Sequence, residues 1–237
     1  KFAPAPGIPP HRREHYKVYG ADALRYGILS LTTGLNQSLK LSVNRTERES
    51  EDGLATFDVE VPIFEEGRRL ANKMWQAYRG VVLNNLDGLG PRPAEASPHP
   101  EDRGILSRLG GAVADVTANL EVYHLGETCA RLYHVFWDDY CSRYLEVIKP
   151  RLWGNEGEES KAHAQHTMLR FADAILRLFH PLMPFVTEAL WQELRPHLQT
   201  AGEEALPEAL IVAPWPKADD FPVDEPLETT TKLVQEV

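Results

Sequence analysis

The sequence has little of several features that define whole classes of protein. Its 237 residues include only two cysteines, Cys129 and Cys141, and both fall within one helix-like segment. Twelve helical residues carry the chain about 18 Å along the axis, which is too far for a disulfide. No apolar run approaches the roughly 18 residues that a membrane-spanning helix needs, and the N-terminus lacks the apolar core of a signal peptide. We therefore expect a cytoplasmic protein with reduced cysteines and no membrane partner.

Positive charge is also scarce, with 25 basic against 35 acidic residues and a net charge of −10. This balance argues against indiscriminate binding to nucleic acid, DNA included, because such binding depends on basic surface that neutralises phosphates. The stretch from Gly67 to Asn85 is the exception, since it contains four basic residues and no acidic one. Two interpretations stay open for it: selective contact with one defined polyanion, or an ordinary solvated helix face.

Helical periodicity dominates the rest of the chain and predicts an all-α protein, an antiparallel helical bundle. Apolar residues recur at spacings of three and four in six segments, which are joined by short polar or proline-rich connections. The predicted helices are Ala21–Leu31, a long helix through Leu70–Val81, Ile105–Leu120, Glu127–Ile148, Lys161–Phe179 and a short last helix at Thr187–Leu194.

Three segments lack this periodicity. The highly charged stretch 44–60 predicts an irregular insertion, and residues 217–237 predict an extended acidic tail. Residues 1–18 predict a linker, which leaves 19–216 as the bundle.

Two pairs of polar residues invite a search for chemistry. Asp138 and Asp139 are adjacent, so on a helix they point about 100° apart and do not form a facing acid–base pair. We expect them to contact Arg131 or Arg143 instead. His163 and His166 lie three residues apart, but no cysteine or carboxylate cluster completes a metal site around them, so no metal site is predicted.

Four longer motifs resemble one family, the class I aminoacyl-tRNA synthetases, in their C-terminal half. They are YGADALRYGILS (19–30), LANKMWQAYRGVVLN (70–84), FWDDYCSRYLEVIKPRL (136–152) and LFHPLMPFVTEALWQEL (178–194), followed by APWP (213–216). They occur in the family's order and cover most of the chain from Lys17 to Pro216. Within the family, ANKMW and YLEVIKPRL look most like the valyl-tRNA synthetases.

The resemblance implies a helical bundle that binds the anticodon end of a tRNA, most simply a valine-accepting one. In the family, a separate catalytic domain precedes this region and activates the amino acid with ATP and magnesium. The resemblance thus implies a tRNA partner and a catalytic-domain partner in the parent chain, but no catalytic residue and no cofactor within these 237 residues. It leaves open whether the parent chain is active.

The opening residues, KFAPAPG, stand in the register of the family's Lys-Met-Ser-Lys-Ser-Leu-Gly loop. Lys1 and Gly7 match that loop, whereas Pro4 takes the place of its second lysine. One interpretation is a paralogue that has lost catalysis and uses its bundle as a protein-interaction module. The other is that residues 1–10 are of foreign origin or align by chance.

The candidate tRNA-binding residues follow from the basic helix and from its likeness to the family's RNFANK segment. They are Arg68, Arg69, Asn72, Lys73, Trp75, Tyr78 and Arg79. Arg69 and Lys73 share one helix face, whereas Arg68 and Lys73 lie about 140° apart. Trp75 and Tyr78 could stack on unpaired bases, although aromatic residues at helical spacing are more often core.

Overall fold

The computed structural model describes residues 13–32, 39–49, 55–202 and 206–221. These residues are mainly helical, which confirms the predicted fold class. The α-helices are α1 (Ala21–Ser30), α2 (Pro62–Ala77), α3 (Pro100–Glu121), α4 (Leu125–Tyr133), α5 (Leu145–Val147), α6 (Lys149–Leu152), α7 (Glu158–Phe179) and α8 (Pro184–Thr200). Within these ranges, no helix is long and apolar enough to cross a lipid bilayer.

Two helices continue in helical segments that do not have the α-helical hydrogen-bond pattern. After α2, the chain makes a π-helical turn at Tyr78–Val82 and a 3-10 turn at Leu83–Asn85. After α4, an eleven-residue π-helical segment, His134–Tyr144, leads into α5. Each of these two regions was predicted as one helix, and each is helical but changes its hydrogen-bond pattern along its length.

The last helix was predicted too short. We expected Thr187–Leu194, but α8 runs from Pro184 to Thr200 and contains Pro196. Its apolar stripe continues past the proline, because Leu194 and Leu198 are both buried. Burial of this stripe outweighs the hydrogen bond that Pro196 cannot donate.

The described residues of the charged stretch 44–60 are strands, so the prediction of an irregular insertion was wrong for them. It contains strands β2 (Asn44–Glu49) and β3 (Ala55–Glu60), which pair antiparallel, while β1 (Arg13–Tyr16) pairs parallel with β3. In the sequence of β3, apolar and polar residues alternate, and Val59 is buried. The many charges of β2 suit an edge strand, because they discourage pairing with another chain.

Helices α1 and α2 cross in close contact at two glycines. A Cβ atom at Gly67 would lie 2.6 Å from the Ala23 carbonyl oxygen, and one at Gly27 would lie 2.7 Å from Cδ1 of Phe64. Only glycine permits this approach, so these two positions fix how α2 lies on the bundle.

Helix α7 is the centre of the core, and fourteen of its residues are buried. Phe171 stacks on Tyr140 of the π-helical segment with ring centres 4.0 Å apart. The tail after α8 returns across the bundle, where Trp215 donates a hydrogen bond to Thr117 Oγ1 and Phe221 is buried. The packed region therefore includes the first residues of the predicted acidic tail, whereas 222–237 lie outside the described residues.

A buried ionic group, the Arg151 cluster, ties α3, α6, α7 and the π-helical segment together. Arg151 and Asp102 are 1% and 0% exposed, and the guanidinium donates two hydrogen bonds to the carboxylate, at 2.9 and 2.8 Å. Tyr144 donates a hydrogen bond to Asp102, and Ser160 Oγ accepts one from Arg151 Nε, which completes the cluster. Burial lowers the pKa of Arg151, but the hydrogen bonds to Asp102 and the negative charges beside the guanidinium together outweigh it and raise the pKa overall.

Candidate nucleic-acid interface

Four of the seven predicted tRNA-binding residues form one line along the surface of α2 and its π-helical turn. Arg68, Asn72, Trp75 and Arg79 are spaced by four, three and four, so they share a helix face. We call these four residues the α2 row. Trp75 is 39% exposed, and the guanidinium carbon of Arg79 lies 5.1 Å from the centre of its ring. The row thus places two cations, an amide and an exposed indole side by side.

Ion pairs hold the two arginines of the α2 row. Arg68 pairs with Glu65 on the same helix, and Arg79 Nε lies 3.0 Å from a carboxylate oxygen of Glu193 in α8. The hydrogen bond from Arg68, aided by Lys17, lowers the pKa of Glu65 to about 2. The arginine side chains are 41% and 55% exposed, so both guanidinium groups remain accessible from solvent.

A surface depression of about 380 Å³ lies directly beside the α2 row. Its lining includes Arg68, Asn72 and Phe185. Phe185 is 66% exposed at the start of α8, and its position is fixed because Asp22 accepts hydrogen bonds from the backbone amides of Phe185 and Val186. An aromatic ring with a free face is a platform on which an unpaired base can stack.

Sequence reasoning missed Phe185, although a signal for it was present. Phe185 lies off the apolar stripe of α8, which includes Leu190, Trp191, Leu194 and Leu198. A large aromatic residue off the stripe of an amphipathic helix faces solvent, so the helical wheel predicts its exposure.

On the other flank of α2, Arg69 lines a second depression, of about 350 Å³, which we call the aromatic depression. Its other lining residues are Tyr26, Glu66, Tyr133 and Trp137. The rings of Tyr133 and Trp137 are stacked, with centres 5.2 Å apart and an angle of 12° between planes. Lys73 Nζ lies 5.3 Å from the centre of the Trp137 ring. Arg69 and Lys73 are therefore both beside this aromatic pair, on a different flank from the α2 row.

Tyr78 was predicted to bind tRNA, and the structure shows that this was wrong. Its side chain is 0% exposed, and its hydroxyl donates a hydrogen bond of 2.6 Å to the Ala172 carbonyl oxygen. Burial raises the pKa of the hydroxyl well above its usual value. Tyr78 follows Leu70, Met74 and Ala77 on the apolar stripe, so it packs in the core and no base can reach it.

The paired carboxylates have structural contacts. Asp138 pairs with His134, and buried Asp139 accepts a hydrogen bond of 2.8 Å from Arg108 and lies 3.6 Å from Arg143. The expected contact with Arg143 is therefore present. Arg131 pairs instead with Asp115 of α3.

No cluster of three or more metal-ligating side chains occurs in the part of the chain that the structure describes. His163 is buried, and His166 Nε2 lies 3.0 Å from the Gly90 carbonyl oxygen. Burial lowers the pKa of His166. Lys1 and Gly7, the residues that match the signature loop, lie outside the described residues, so their interpretation stays a prediction.

Comparison with known proteins identifies the family. A family model described as the anticodon-binding domain of tRNA ligase matches residues 102–237. The chain is 38% identical over 222 residues to a valine--tRNA ligase from Thermosynechococcus vestitus, which covers 92% of this chain and 22% of that protein. It is 35% identical over 226 residues to a valine--tRNA ligase from Synechocystis, which covers 92% of this chain and 23% of that protein.

A solved structure, LeuRS from Agrobacterium radiobacter K84 in a ternary complex with tRNA and LeuAMS, aligns with 88% of this chain and 20% of its own. The sequence identity is 19% and the TM-score is 0.49. The chain spans about a fifth of the length of the curated relatives it matches. With more than half of its residues matched by the family model, and with valine--tRNA ligases as its similar relatives, the chain belongs to the anticodon-binding domains of tRNA ligases.

Proposed function

We propose that this chain binds the anticodon loop of a tRNA through the α2 row and the depression that contains Phe185. The proposal rests on one observation: the row and this depression bring together the three kinds of group that recognition of unpaired bases requires. Cations bind phosphates, an amide forms hydrogen bonds with base edges, and exposed aromatic rings stack on bases. Family membership supports the same function independently of this geometry.

Each member of the interface has a distinct role in the proposal. Arg68 and Arg79 contact phosphates, and the side-chain amide of Asn72 both donates and accepts hydrogen bonds, so it can read a base edge. Phe185 and Trp75 supply stacking surfaces. Since Arg79 already covers one face of the Trp75 ring, Phe185 offers the more open platform.

Selectivity has a physical basis in the charge distribution. The chain as a whole is acidic, so polyanions are repelled from most of its surface. The local excess of basic residues on α2 favours contact with a polyanion there. This arrangement favours one RNA held in one orientation over non-specific association.

The bound tRNA is proposed to be valine-accepting, because the similar relatives are valine--tRNA ligases. Within a longer parent protein, the domain would hold the tRNA while a separate catalytic domain uses ATP and magnesium to attach valine. This activity, the absence of a cofactor from these residues and the cytoplasmic location stay predictions. No contact in the described residues favours the alternative role of a protein-interaction module.

A salt-series binding titration tests the proposal. The chain is titrated with a valine-accepting tRNA and with the same tRNA carrying an altered anticodon. We expect tighter binding to the unaltered anticodon, and an affinity that falls as salt concentration rises. Equal affinity for the two tRNAs would contradict anticodon recognition.

Two variants and a control locate the site. Asn72→Ala is expected to reduce the preference for the correct anticodon, because it removes the base-edge contact. Arg68→Gln is expected to lower the affinity for both tRNAs equally. It should also reduce the slope of log affinity against log salt concentration by about one. Lys217→Gln removes the same charge from an exposed residue distant in sequence from α2, so it serves as the matched control. An effect of Lys217→Gln equal to that of Arg68→Gln would refute the assignment.

A further inference from the structure

We propose that the aromatic depression is a second nucleotide subsite, which takes one unpaired base of the same RNA loop that the α2 row holds. This inference rests on the proposed function. It assigns a binding role to Tyr133, Trp137 and Glu66, none of which is among the seven candidate tRNA-binding residues of the sequence. Arg69 and Lys73 then act here rather than with the row.

The floor of the subsite is the Tyr133–Trp137 stack. The two rings are nearly parallel, at 12°, and both side chains are half-buried and packed against the core. Packing fixes their orientation before any ligand arrives, so little conformational entropy is lost when a base stacks on them. A rigid, flat aromatic surface beside a cleft is what base stacking requires, and it tolerates any of the four bases.

The ring faces are not equivalent. Tyr133 covers one face of Trp137, and the ammonium group of Lys73 lies over that ring, 5.3 Å from its centre. We therefore place the base against Tyr133, while Lys73 stays over the indole as a cation–π partner. In this arrangement Lys73 contributes positive charge beside the base without having to move.

Charges at the rim orient the nucleotide. Arg69 supplies a guanidinium for the phosphate, and Glu66, exposed in the same lining, supplies a carboxylate. A carboxylate accepts hydrogen bonds from the exocyclic amino groups of cytosine, adenine and guanine, whereas uracil has no such group. The subsite should thus prefer an amino-bearing base to uracil.

The subsite lies close enough to the α2 row for one continuous RNA strand to reach both. Arg68 and Arg69 are neighbours in sequence, yet they line different depressions on the two flanks of the solvent face of α2. A helix with its side chains is about 10–12 Å in diameter, so a few nucleotides of loop can pass across it. The row and the subsite would then hold two parts of the same loop.

A binding cycle with abasic nucleotides tests the subsite. The RNA is a valine-type anticodon stem-loop in which each loop base in turn is removed, and the proteins are the wild-type chain, Tyr133→Leu and Tyr133→Phe. We expect Tyr133→Leu to bind the intact RNA about tenfold more weakly than the wild type does. When one particular base is absent from the RNA, the affinity of Tyr133→Leu should not fall any further, because the contact to that base is already lost. Tyr133→Phe keeps the ring, so it should bind like the wild type.

The base preference gives a second test, and it uses a substitution at an exposed residue instead of one packed against the core. At the position found by the cycle, replacing an amino-bearing base by uracil should weaken wild-type binding severalfold. Glu66→Gln should reduce that discrimination, because an amide accepts the same hydrogen bond with less charge. Unchanged discrimination in Glu66→Gln would remove Glu66 from the subsite.

The outcomes separate this inference from the proposed function. If Tyr133→Leu weakens every abasic RNA to the same extent, Tyr133 has only a structural role and the subsite is refuted. If Asn72→Ala changes anticodon preference while Tyr133→Leu leaves affinity unchanged, the α2 row stands and the subsite fails. If neither variant changes binding, the proposed function fails as well. Thermal melts followed by circular dichroism confirm that each variant is folded.

Discussion

The chain uses arginine in two opposite ways, in the Arg151 cluster and in the α2 row. Arg151 is 1% exposed and faces a carboxylate that is 0% exposed, whereas the side chains of Arg68 and Arg79 are 41% and 55% exposed beside partly exposed glutamates. Both kinds of pair obey the same electrostatics, but the cost of desolvation separates them. A buried pair cannot exchange its partner for a ligand, and an exposed pair can.

Removing the buried cation of the Arg151 cluster is expected to have the largest effect on stability. Arg151→Met leaves Asp102 buried without its main partner, and we expect a loss of about 3–5 kcal/mol in the free energy of unfolding. Urea denaturation followed by circular dichroism measures this loss. The double variant Arg151→Met with Asp102→Leu removes both charges, so it should recover part of the stability. A loss of less than 1 kcal/mol in Arg151→Met would show that the cluster is not the structural element described here.

The position of the α2 row depends on the close crossing of α1 and α2. Gly67→Ala places a Cβ atom 2.6 Å from the Ala23 carbonyl oxygen, and we expect a destabilisation of about 1–3 kcal/mol from overpacking. Gly80→Ala is the matched control, since a Cβ atom there meets nothing within 4 Å. It should be neutral or slightly stabilising. Equal melting temperatures for the two variants would contradict the tight crossing.

Within the α2 row, the expected change is in binding rather than in stability. Arg79→Gln should lower tRNA affinity by about tenfold, or about 1.4 kcal/mol, while the free energy of unfolding changes by less than about 0.5 kcal/mol. Fluorescence anisotropy with labelled tRNA and a parallel denaturation curve measure the two quantities. A variant that is destabilised but binds normally would place Arg79 with Arg151 as a structural residue.

The smallest effect is expected from the pH dependence of the Glu65 pair. The pKa of Glu65 is lowered from its ordinary value of 4.5 to about 2, so this pair stabilises the fold above pH 4.5. That contribution is lost as the pH falls from 4.5 towards 2, because protonated Glu65 cannot pair with Arg68 or Lys17. Glu65→Gln has no carboxylate to protonate here, so its free energy of unfolding should not show this part of the loss at acid pH. We expect the wild type and the variant to differ by about 1 kcal/mol at most, because the partners are exposed. Acid titrations of the two proteins that coincide would contradict the pairing.

The helices and their apolar stripes were predictable from the sequence, because both depend on local spacing. The stripe through Leu70 and Met74 placed these residues in the core correctly, and the same stripe also indicated a core position for Tyr78. The error over Tyr78 came from giving a family-like motif more weight than its helical phase. The strands at 44–60 were missed because the charged residues of β2 show no burial pattern, and only pairing with β3 gives them a structure.

The two sides of the candidate interface could not be predicted, because their partners are distant in sequence. Phe185 lies beside Arg68 because Asp22 of α1 caps the start of α8. Asp22 and Phe185 are 163 residues apart in the sequence. Likewise, Trp137 lies near Lys73 only because α4 and its π-helical continuation pack near α2. Local sequence cannot give contacts of this kind, since each depends on the packing of several helices at once.

The sequence by itself determined the helical fold class, the family likeness and the basic character of α2, since each of these depends on residue type and local spacing. Only the tertiary structure decided which arginine is structural and which is available to a ligand. Arg68 and Arg151 have the same side chain, and burial of Arg151 against Asp102 is a property of packed helices rather than of either residue's neighbours in the chain. The energetic cost of removing a charge from water makes that difference decisive.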